Sequence, residues 1–288
     1  MSTMIALFIV LSTLIGCAGE TLTNVKNALP EPAASLTLAV EIENYAETVR
    51  DEDGAALAIC SYDLPVLRVL LEDGGPLKEA ATEGERRALE MAETFNARFS
   101  AWKDNPQTLA KGAKEDRAFR NESEQEPMAY TDDLSCTVYQ TETLISVSGV
   151  YYTYTGGAHP NSILMSWNFD LDTGAFFEPE ILDEGGDLRE PVRLALVKQA
   201  RETAAEMGMA PKDFYWGDYE TILADWSSYA VSFDEAGMTV GFSPYELACY
   251  AAGPQVFHLT YDQLRPHLGQ HGRELLGLEE GSAAKADG

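Results

Sequence analysis

The chain has few of the residues on which most enzyme signatures depend. Its 288 residues include only four cysteines and four histidines. They contain no Gly-x-Ser-x-Gly elbow, no His-Glu-x-x-His pair and no phosphate-binding loop. His267 and His271 have the spacing of zinc ligands on one helical face, but Pro266 and Gly269 argue against a helix there. We therefore predict no catalytic residue, no metal ligand and no cofactor.

Basic residues are also scarce. The sequence has 20 Lys and Arg against 47 Asp and Glu, which gives a formal net charge of −27. Such a chain repels nucleic-acid phosphates and anionic lipid head groups, so we expect no nucleic-acid partner. The same charge could attract a basic protein or cations, or could serve only to keep an exported protein soluble.

The apolar run at the N-terminus, Met4 to Ile15, is shorter than the roughly 20 residues that span a bilayer. Residues 1–16 are typical of a signal peptide, and Cys17 after Gly16 fits a lipoprotein cleavage box. A secretory signal with an incidental cysteine is the alternative. Because Ala18 stands where an inner-membrane retention signal often has Asp, we expect a lipoprotein on the periplasmic face of the outer membrane. Its contact with the membrane would be through the lipid anchor only.

Three cysteines remain beyond the lipidation site: Cys60, Cys136 and Cys249. An envelope compartment permits disulfides. Cys60 and Cys136 both lie in strand-like runs and could pair across a sheet, which would leave the third thiol free. The alternative is that all three are small buried hydrophobic residues.

The hydrophobic pattern predicts an α+β fold, with antiparallel sheets and two main amphipathic helices packed on them. Thr82-x-x-Glu85 is a capping box that opens the first helix, which Asn105-Pro106 should end. Residues 107–129 have few apolar positions and predict a solvated helix or a mobile loop. The second helix, Leu188 to Met207, should be capped by Asp187 and stopped by Gly208. Earlier in the chain, a strand from Ala55 to Tyr62 should stop before Pro65.

Shifts in composition suggest five segments along the chain. Residues 17–34 are rich in Thr, Asn, Ala and Pro and suit a tether between lipid and domain. The boundaries that we predict are a signal peptide at 1–16, the tether at 17–34, an N-terminal half at 35–175, a C-terminal half at 176–270, and a flexible tail at 271–288.

A glycine-rich corner follows the alternating strand Leu144–Tyr154. Gly156 and Gly157 allow positive φ, and Pro160 favours an extended conformation at His159. His159 could lock this loop, contact a ligand or act as a base, and the nearby tyrosines could face a ligand or close the core. The candidate binding residues are Tyr154, Thr155, Gly156, Gly157, His159, Asn161 and Tyr245.

Two motifs in this order resemble the RsiV/PdaC-type extracytoplasmic domain family. The first is Tyr154-Thr155-Gly156-Gly157-Ala158-His159-Pro160-Asn161, followed by Asn168-Phe169-Asp170-Leu171-Asp172-Thr173-Gly174. The second is Phe242-Ser243-Pro244-Tyr245-Glu246, continuing to Gly253-Pro254. The similarity extends roughly over residues 36–270. It is specific to the family and not to one activity.

The resemblance implies a binding module rather than an enzyme. Relatives that sense lysozyme bind this basic, glycan-cleaving protein through the domain, so a lysozyme-like protein or peptidoglycan is the expected partner. The transmembrane helix and the cytoplasmic anti-sigma segment of those relatives have no counterpart in this sequence, so transcriptional control does not carry over. Two alternatives remain: a peptidoglycan-modifying, deacetylase-like enzyme or accessory, and a purely structural envelope lipoprotein.

Overall fold

A computed structural model of the protein describes residues 36–122 and 128–279. The predicted signal peptide, Cys17, the tether and the tail after residue 279 lie outside these ranges. None of the helices in the two ranges is long and apolar enough to cross a bilayer.

Nine strands and seven α-helices make up the described ranges. The strands are β1 (Thr37–Arg50), β2 (Ala56–Leu70), β3 (Tyr130–Gln140), β4 (Leu144–Tyr154), β5 (Asn161–Asp170), β6 (Ala175–Phe177), β7 (Ala230–Phe233), β8 (Gly237–Phe242) and β9 (Gln255–Thr260). The helices are α1 (Glu83–Ser100), α2 (Asn105–Glu122), α3 (Arg189–Glu206), α4 (Pro211–Phe214), α5 (Tyr219–Ile222), α6 (Tyr261–Leu264) and α7 (Gln270–Leu275). The predicted α+β class is confirmed.

The strands form two sheets. The first has six strands in the order β1 to β6, and the second has the order β7-β8-β9. Neighbouring strands are antiparallel except β2 and β3, which pair in parallel between Ala58–Tyr62 and Tyr130–Leu134. A parallel pair needs a crossover, and α1 and α2 provide it. The sheets are therefore antiparallel as predicted, except for this one pair.

Helix α1 forms where the capping box predicts it. The Thr82 side chain accepts a hydrogen bond from the Glu85 N–H, and the Glu85 carboxylate accepts one from the Thr82 N–H. Phe95 and Phe99 are buried and pack against Phe169 and Trp167 of β5. This aromatic face of α1 is therefore part of the hydrophobic core.

Two predicted boundaries at prolines are wrong. Asn105-Pro106 begins α2, where a proline in the first turn loses no intrahelical hydrogen bond. Pro65 lies inside β2, opposite Ile42. The N–H of Leu67, two residues on, donates to the Asn96 side chain of α1 and so points away from β1. The nitrogen of Pro65 points the same way, and the β2–β3 pairing has already ended at Tyr62, so its missing N–H breaks no ladder bond.

Helix α3 packs the second sheet into the C-terminal core. Leu188, Val192 and Leu196 are fully buried in the cluster that also contains Val231 and Val240. The predicted cap at Asp187 is wrong, because the Asp183 carboxylate accepts from the N–H groups of Leu188 and Arg189. Gly208 has positive φ after the helix, as a C-terminal stop requires.

The two sheets are joined by a buried polar pair. Ser146 on β4 donates its hydroxyl proton to the Asn168 side chain of β5 and accepts the N–H of Phe233. The Asn168 amide donates to the Val231 carbonyl at 2.8 Å. The Val231 carbonyl and the Phe233 N–H point away from β8. Ser146 and Asn168 therefore supply the hydrogen-bond partners that a neighbouring strand would give to the edge of β7.

Replacing Ser146 with alanine should therefore lower the free energy of unfolding by about 1–3 kcal/mol, because the buried Phe233 N–H loses its acceptor. Ser148→Ala removes a hydroxyl from the same face of β4, two residues on, where the side chain is only partly buried. It should change stability by less than about 0.5 kcal/mol. Urea denaturation followed by circular dichroism measures both, and equal losses would contradict a special role for Ser146.

Two further predictions on the chain's organisation need correction. Cys60, Cys136 and Cys249 are all free thiols, so the tentative Cys60–Cys136 disulfide does not form. Cys60 lies opposite Asp132, which is four residues before Cys136, so the two cysteines are separated by roughly 13 Å along the strands.

The first part of the predicted tail is folded, because α7 spans Gln270–Leu275 and Leu275 is buried. The two predicted halves form one compact unit.

Candidate functional site

The glycine-rich corner joins β4 to β5 at the surface. Gly156 and Gly157 have φ of 99° and 105°, which is the conformation for which glycine was expected. The Tyr154 hydroxyl donates to the Gly157 carbonyl at 3.1 Å and braces the loop from within. Thr155 and Asn161 are exposed. The corner is therefore accessible and internally fixed.

The second motif forms a tight turn after β8. The Glu246 N–H donates to the Ser243 carbonyl, and Pro244 and Tyr245 occupy the two central positions. Tyr245 has φ of 75°, the one positive value at a non-glycine residue in the described ranges. Proline followed by positive φ is the pattern of a type II turn, in which glycine normally takes the place of Tyr245. Such strain at a bulky residue suggests a functional reason for its retention.

The structure brings the two motifs into contact through His159. Its Nε2 lies 3.2 Å from the Tyr245 hydroxyl, and its Nδ1 lies 2.9 Å from the Pro160 carbonyl oxygen. The imidazole stacks on the Tyr250 ring, with centroids 3.7 Å apart and planes 19° apart. The Tyr250 hydroxyl also donates to the Pro160 carbonyl. We call these three side chains, His159, Tyr245 and Tyr250, the corner cluster.

These contacts determine how His159 carries its proton. A carbonyl oxygen can only accept, so Nδ1 must hold the hydrogen and Nε2 accepts from the Tyr245 hydroxyl in the neutral ring. Both ring nitrogens are thus occupied within the protein. A role as general base would require Tyr245 to leave. The geometry favours His159 as a residue that holds the cluster rigid.

The exposed part of the corner cluster is aromatic. Tyr245 is 53% exposed, and the neighbouring Trp216 is 38% exposed. The Trp216 indole N–H donates to the Tyr245 carbonyl at 3.0 Å and so helps to hold the strained turn in place. Sequence reasoning missed Trp216 and Tyr250. Trp216 lies in the aromatic run 214–226, but no local pattern links that run to the turn, and Tyr250 was visible only as part of the second motif.

A second polar cluster, also not predicted, lies in the N-terminal core. Asp132 is 0% exposed and accepts hydrogen bonds from the hydroxyls of Tyr62, at 2.6 Å, and Tyr151. Trp102 covers both tyrosine rings. Burial, and then the hydrogen bond to Asp132, raises the pKa of each tyrosine above its usual value. Both hydroxyls therefore remain donors at neutral pH. Asp132 and Tyr62 are fully buried, and Tyr151 is partly buried.

Among the residues that the structure describes, no three His, Cys, Asp or Glu side chains are placed to share a metal ion. His267 instead pairs with Asp187, its Nδ1 3.0 Å from a carboxylate oxygen.

The fold and the contact between the two motifs define a two-part α+β domain. Residues 84–162 match the family model described as "Deacetylase PdaC", and residues 184–262 match the one described as "Protein of unknown function (DUF3298)". The chain belongs to the PdaC/RsiV-type extracytoplasmic domain family. Each match falls within one predicted half. The first contains residues 154–161 of the first motif and ends before residue 168, and the second contains the whole of the second motif. No curated protein matches the chain.

One solved structure shows the same fold, and a second aligns more weakly. A crystal structure of a DUF3298 family member from Bacteroides fragilis aligns with a TM-score of 0.59 at 16% identity, and covers 85% of this chain and 99% of its own. A DUF3298 family protein from Pseudomonas aeruginosa aligns with a TM-score of 0.43 at 14% identity, and covers 82% and 95% of the two chains.

Proposed function

We propose that the protein is a non-enzymatic binding module of the cell envelope that docks a basic, glycan-cleaving protein of the lysozyme type at the corner cluster. The observation that carries the proposal is the contact between the two family motifs. It presents the exposed Tyr245 ring on a strained turn, with its hydroxyl, carbonyl and N–H all bonded within the protein. A large ring held in one conformation loses little entropy on binding, as interface anchors require.

The charge of the chain supports a basic partner. A net charge of −27 on 288 residues gives long-range attraction for a cationic protein and speeds its encounter. Peptidoglycan, the other partner expected from the resemblance, carries no comparable positive charge. The rigid aromatic corner and the acidic surface therefore favour a protein over the glycan.

Localisation forms part of the same proposal. A lipid on Cys17 and a tether over residues 18–34 would hold the domain at the membrane surface, where exported glycan-cleaving enzymes act. Labelling with radioactive palmitate tests the anchor directly. Incorporation that persists in the Cys17→Ala variant would contradict it.

The docking proposal predicts that hen egg-white lysozyme binds the purified protein. Biolayer interferometry at about 20 mM and 150 mM salt should detect binding at both, with a slower association at the higher salt because the surface charges are screened. A basic protein of similar size without glycan-cleaving activity, such as cytochrome c, serves as control. Absence of lysozyme binding at both salt concentrations would overturn the proposal, and so would equal binding of the basic control, because charge alone would then hold the partner.

A further inference from the structure

Strand β5 has a free edge beside the corner cluster. The Leu164 N–H donates to the Ser243 hydroxyl, so residue 164 turns its backbone groups away from β4. Alternation along the strand turns Ser166, Asn168 and Asp170 the same way. Asn168 and Asp170 are paired with β6, at Phe177 and Ala175. The edge before residue 168 is not covered by β6.

A proline lies close to the point where β6 stops covering the edge of β5. Strand β6 stops at Phe177, and Pro179 turns the chain into a short 3-10 helix, Pro179–Asp183. As a result the Leu164 carbonyl and both backbone groups of Ser166 have no hydrogen-bonding partner among the described residues. Three adjacent, unpaired backbone groups on a strand edge form a template for another strand.

The free edge is the floor of a groove of about 410 Å³. The groove is lined by the consecutive residues 163–168, and the Leu164 hydrogen bond to Ser243 gives the direction in which the unpaired backbone groups point. One wall comes from Phe176 to Pro179 and the other from Ser227 to Ala230. Ile163, at 38% exposure, lies at the open end.

The charges in the groove are predominantly negative. Glu178 and Glu246 line it together with one cation, Arg98. The Arg98 guanidinium already lies over the Phe176 ring, 4.9 Å from its centre. Glu246 accepts the Ser243 N–H at 2.6 Å through one carboxylate oxygen, and Glu178 has no hydrogen-bond or ion-pair partner among the described residues. Glu178 and the second oxygen of Glu246 are therefore available to a cationic group, while Phe177 and Tyr229 offer apolar walls.

We propose that this groove binds an extended peptide segment of a partner protein, which adds a strand to β5 along the line of β6 and places a Lys or Arg against Glu178 and Glu246. Main-chain hydrogen bonds to Leu164 and Ser166 would supply affinity, and the walls and carboxylates would select the side chains. This goes beyond docking at the corner cluster, because the groove recognises backbone rather than a folded surface.

The test uses phage-displayed random dodecapeptides selected on the protein, followed by synthetic peptides from the enriched sequences. Ser166→Pro removes the outward N–H and leaves the β4 ladder intact, since residue 166 faces away from β4. It should weaken the selected peptides at least tenfold in isothermal titration calorimetry. Ser166→Ala keeps the N–H and should bind as the wild type does.

N-methylation of the peptides tests the same point without changing the protein. Methyl groups on alternate backbone nitrogens should abolish binding in one register and spare it in the other. Failure to enrich any peptide, or peptides that tolerate both Ser166→Pro and methylation in either register, would overturn the proposal. Self-association of the wild type that Ser166→Pro removes would identify a second copy as the occupant and would also overturn it.

Different results would contradict the groove proposal and the proposal of docking at the corner cluster. Peptides selected on the groove should still bind a Tyr245→Ala variant, and lysozyme should still bind Ser166→Pro. The second result also reports that the proline variant is folded.

Discussion

Replacing Asp132 with alanine should cost about 2–6 kcal/mol of unfolding free energy. The change leaves the hydroxyls of the fully buried Tyr62 and the partly buried Tyr151 without their acceptor, at about 1–3 kcal/mol each. Relief of the buried carboxylate's own desolvation acts in the opposite direction. We expect the loss to dominate, because Tyr62 is fully buried and both tyrosine rings contact Trp102.

Two matched variants isolate this effect in urea denaturation. Asp133→Ala removes the adjacent carboxylate, which lies on the opposite, partly exposed face of β3, and should change stability by less than about 1 kcal/mol. A triple variant, Asp132→Leu with Tyr62→Phe and Tyr151→Phe, removes donors and acceptor together and should regain most of the loss. If the alanine variant alone lies within about 0.5 kcal/mol of the wild type, the cluster does not stabilise the core.

Local patterns predicted the elements whose signal is contained in a short window. The Thr82–Glu85 capping box located the start of α1, and the alternation from Leu144 to Tyr154 matched β4 at both ends. Each of these signals depends on residues a few positions apart. The pairing of β2 with β3 has no such local signal. Some 70 residues separate Tyr62 from Leu134, and the sequence of neither strand indicates which strand it pairs with.

The prolines show why boundary rules failed where they did. Whether a proline breaks a strand depends on the direction in which its nitrogen points and on whether another strand lies on that side. No strand lies on that side of Pro65, and only the three-dimensional fold reveals this. At Asn105-Pro106 the proline, a residue that often ends a helix, instead begins α2. A single sequence cannot separate these cases.

The candidate site was predicted in parts but not as an assembly. Two motifs about 85 residues apart were each recognised, and the structure adds the contact between His159 and Tyr245 that unites them. The strain at Tyr245 was also hidden, since tyrosine gives no sign of positive φ in a sequence. The residues of the Asp132 cluster come from three different strands and were not recognised as a group.

Replacing Tyr245 with alanine should weaken lysozyme binding by about 30-fold or more, equivalent to at least about 2 kcal/mol. The reason is that the exposed ring is the anchor that the strained turn presents. Tyr245→Phe keeps the ring and loses the hydrogen bond to His159 Nε2, so it should cost much less. Biolayer interferometry against lysozyme measures both variants, and equal losses of binding would mean that the hydroxyl rather than the ring makes the contact.

A third variant separates binding from folding at the same position. Glycine adopts φ of 75° without the cost of roughly 1–2 kcal/mol that a side chain incurs there, so Tyr245→Gly should be more stable than Tyr245→Ala. Both variants lack the ring and should lose lysozyme equally. If binding instead followed stability, with glycine binding better than alanine, the turn would matter only for its shape. Equal loss of binding at unequal stability would mean that the protein tolerates a strained turn in order to hold one aromatic ring toward its partner.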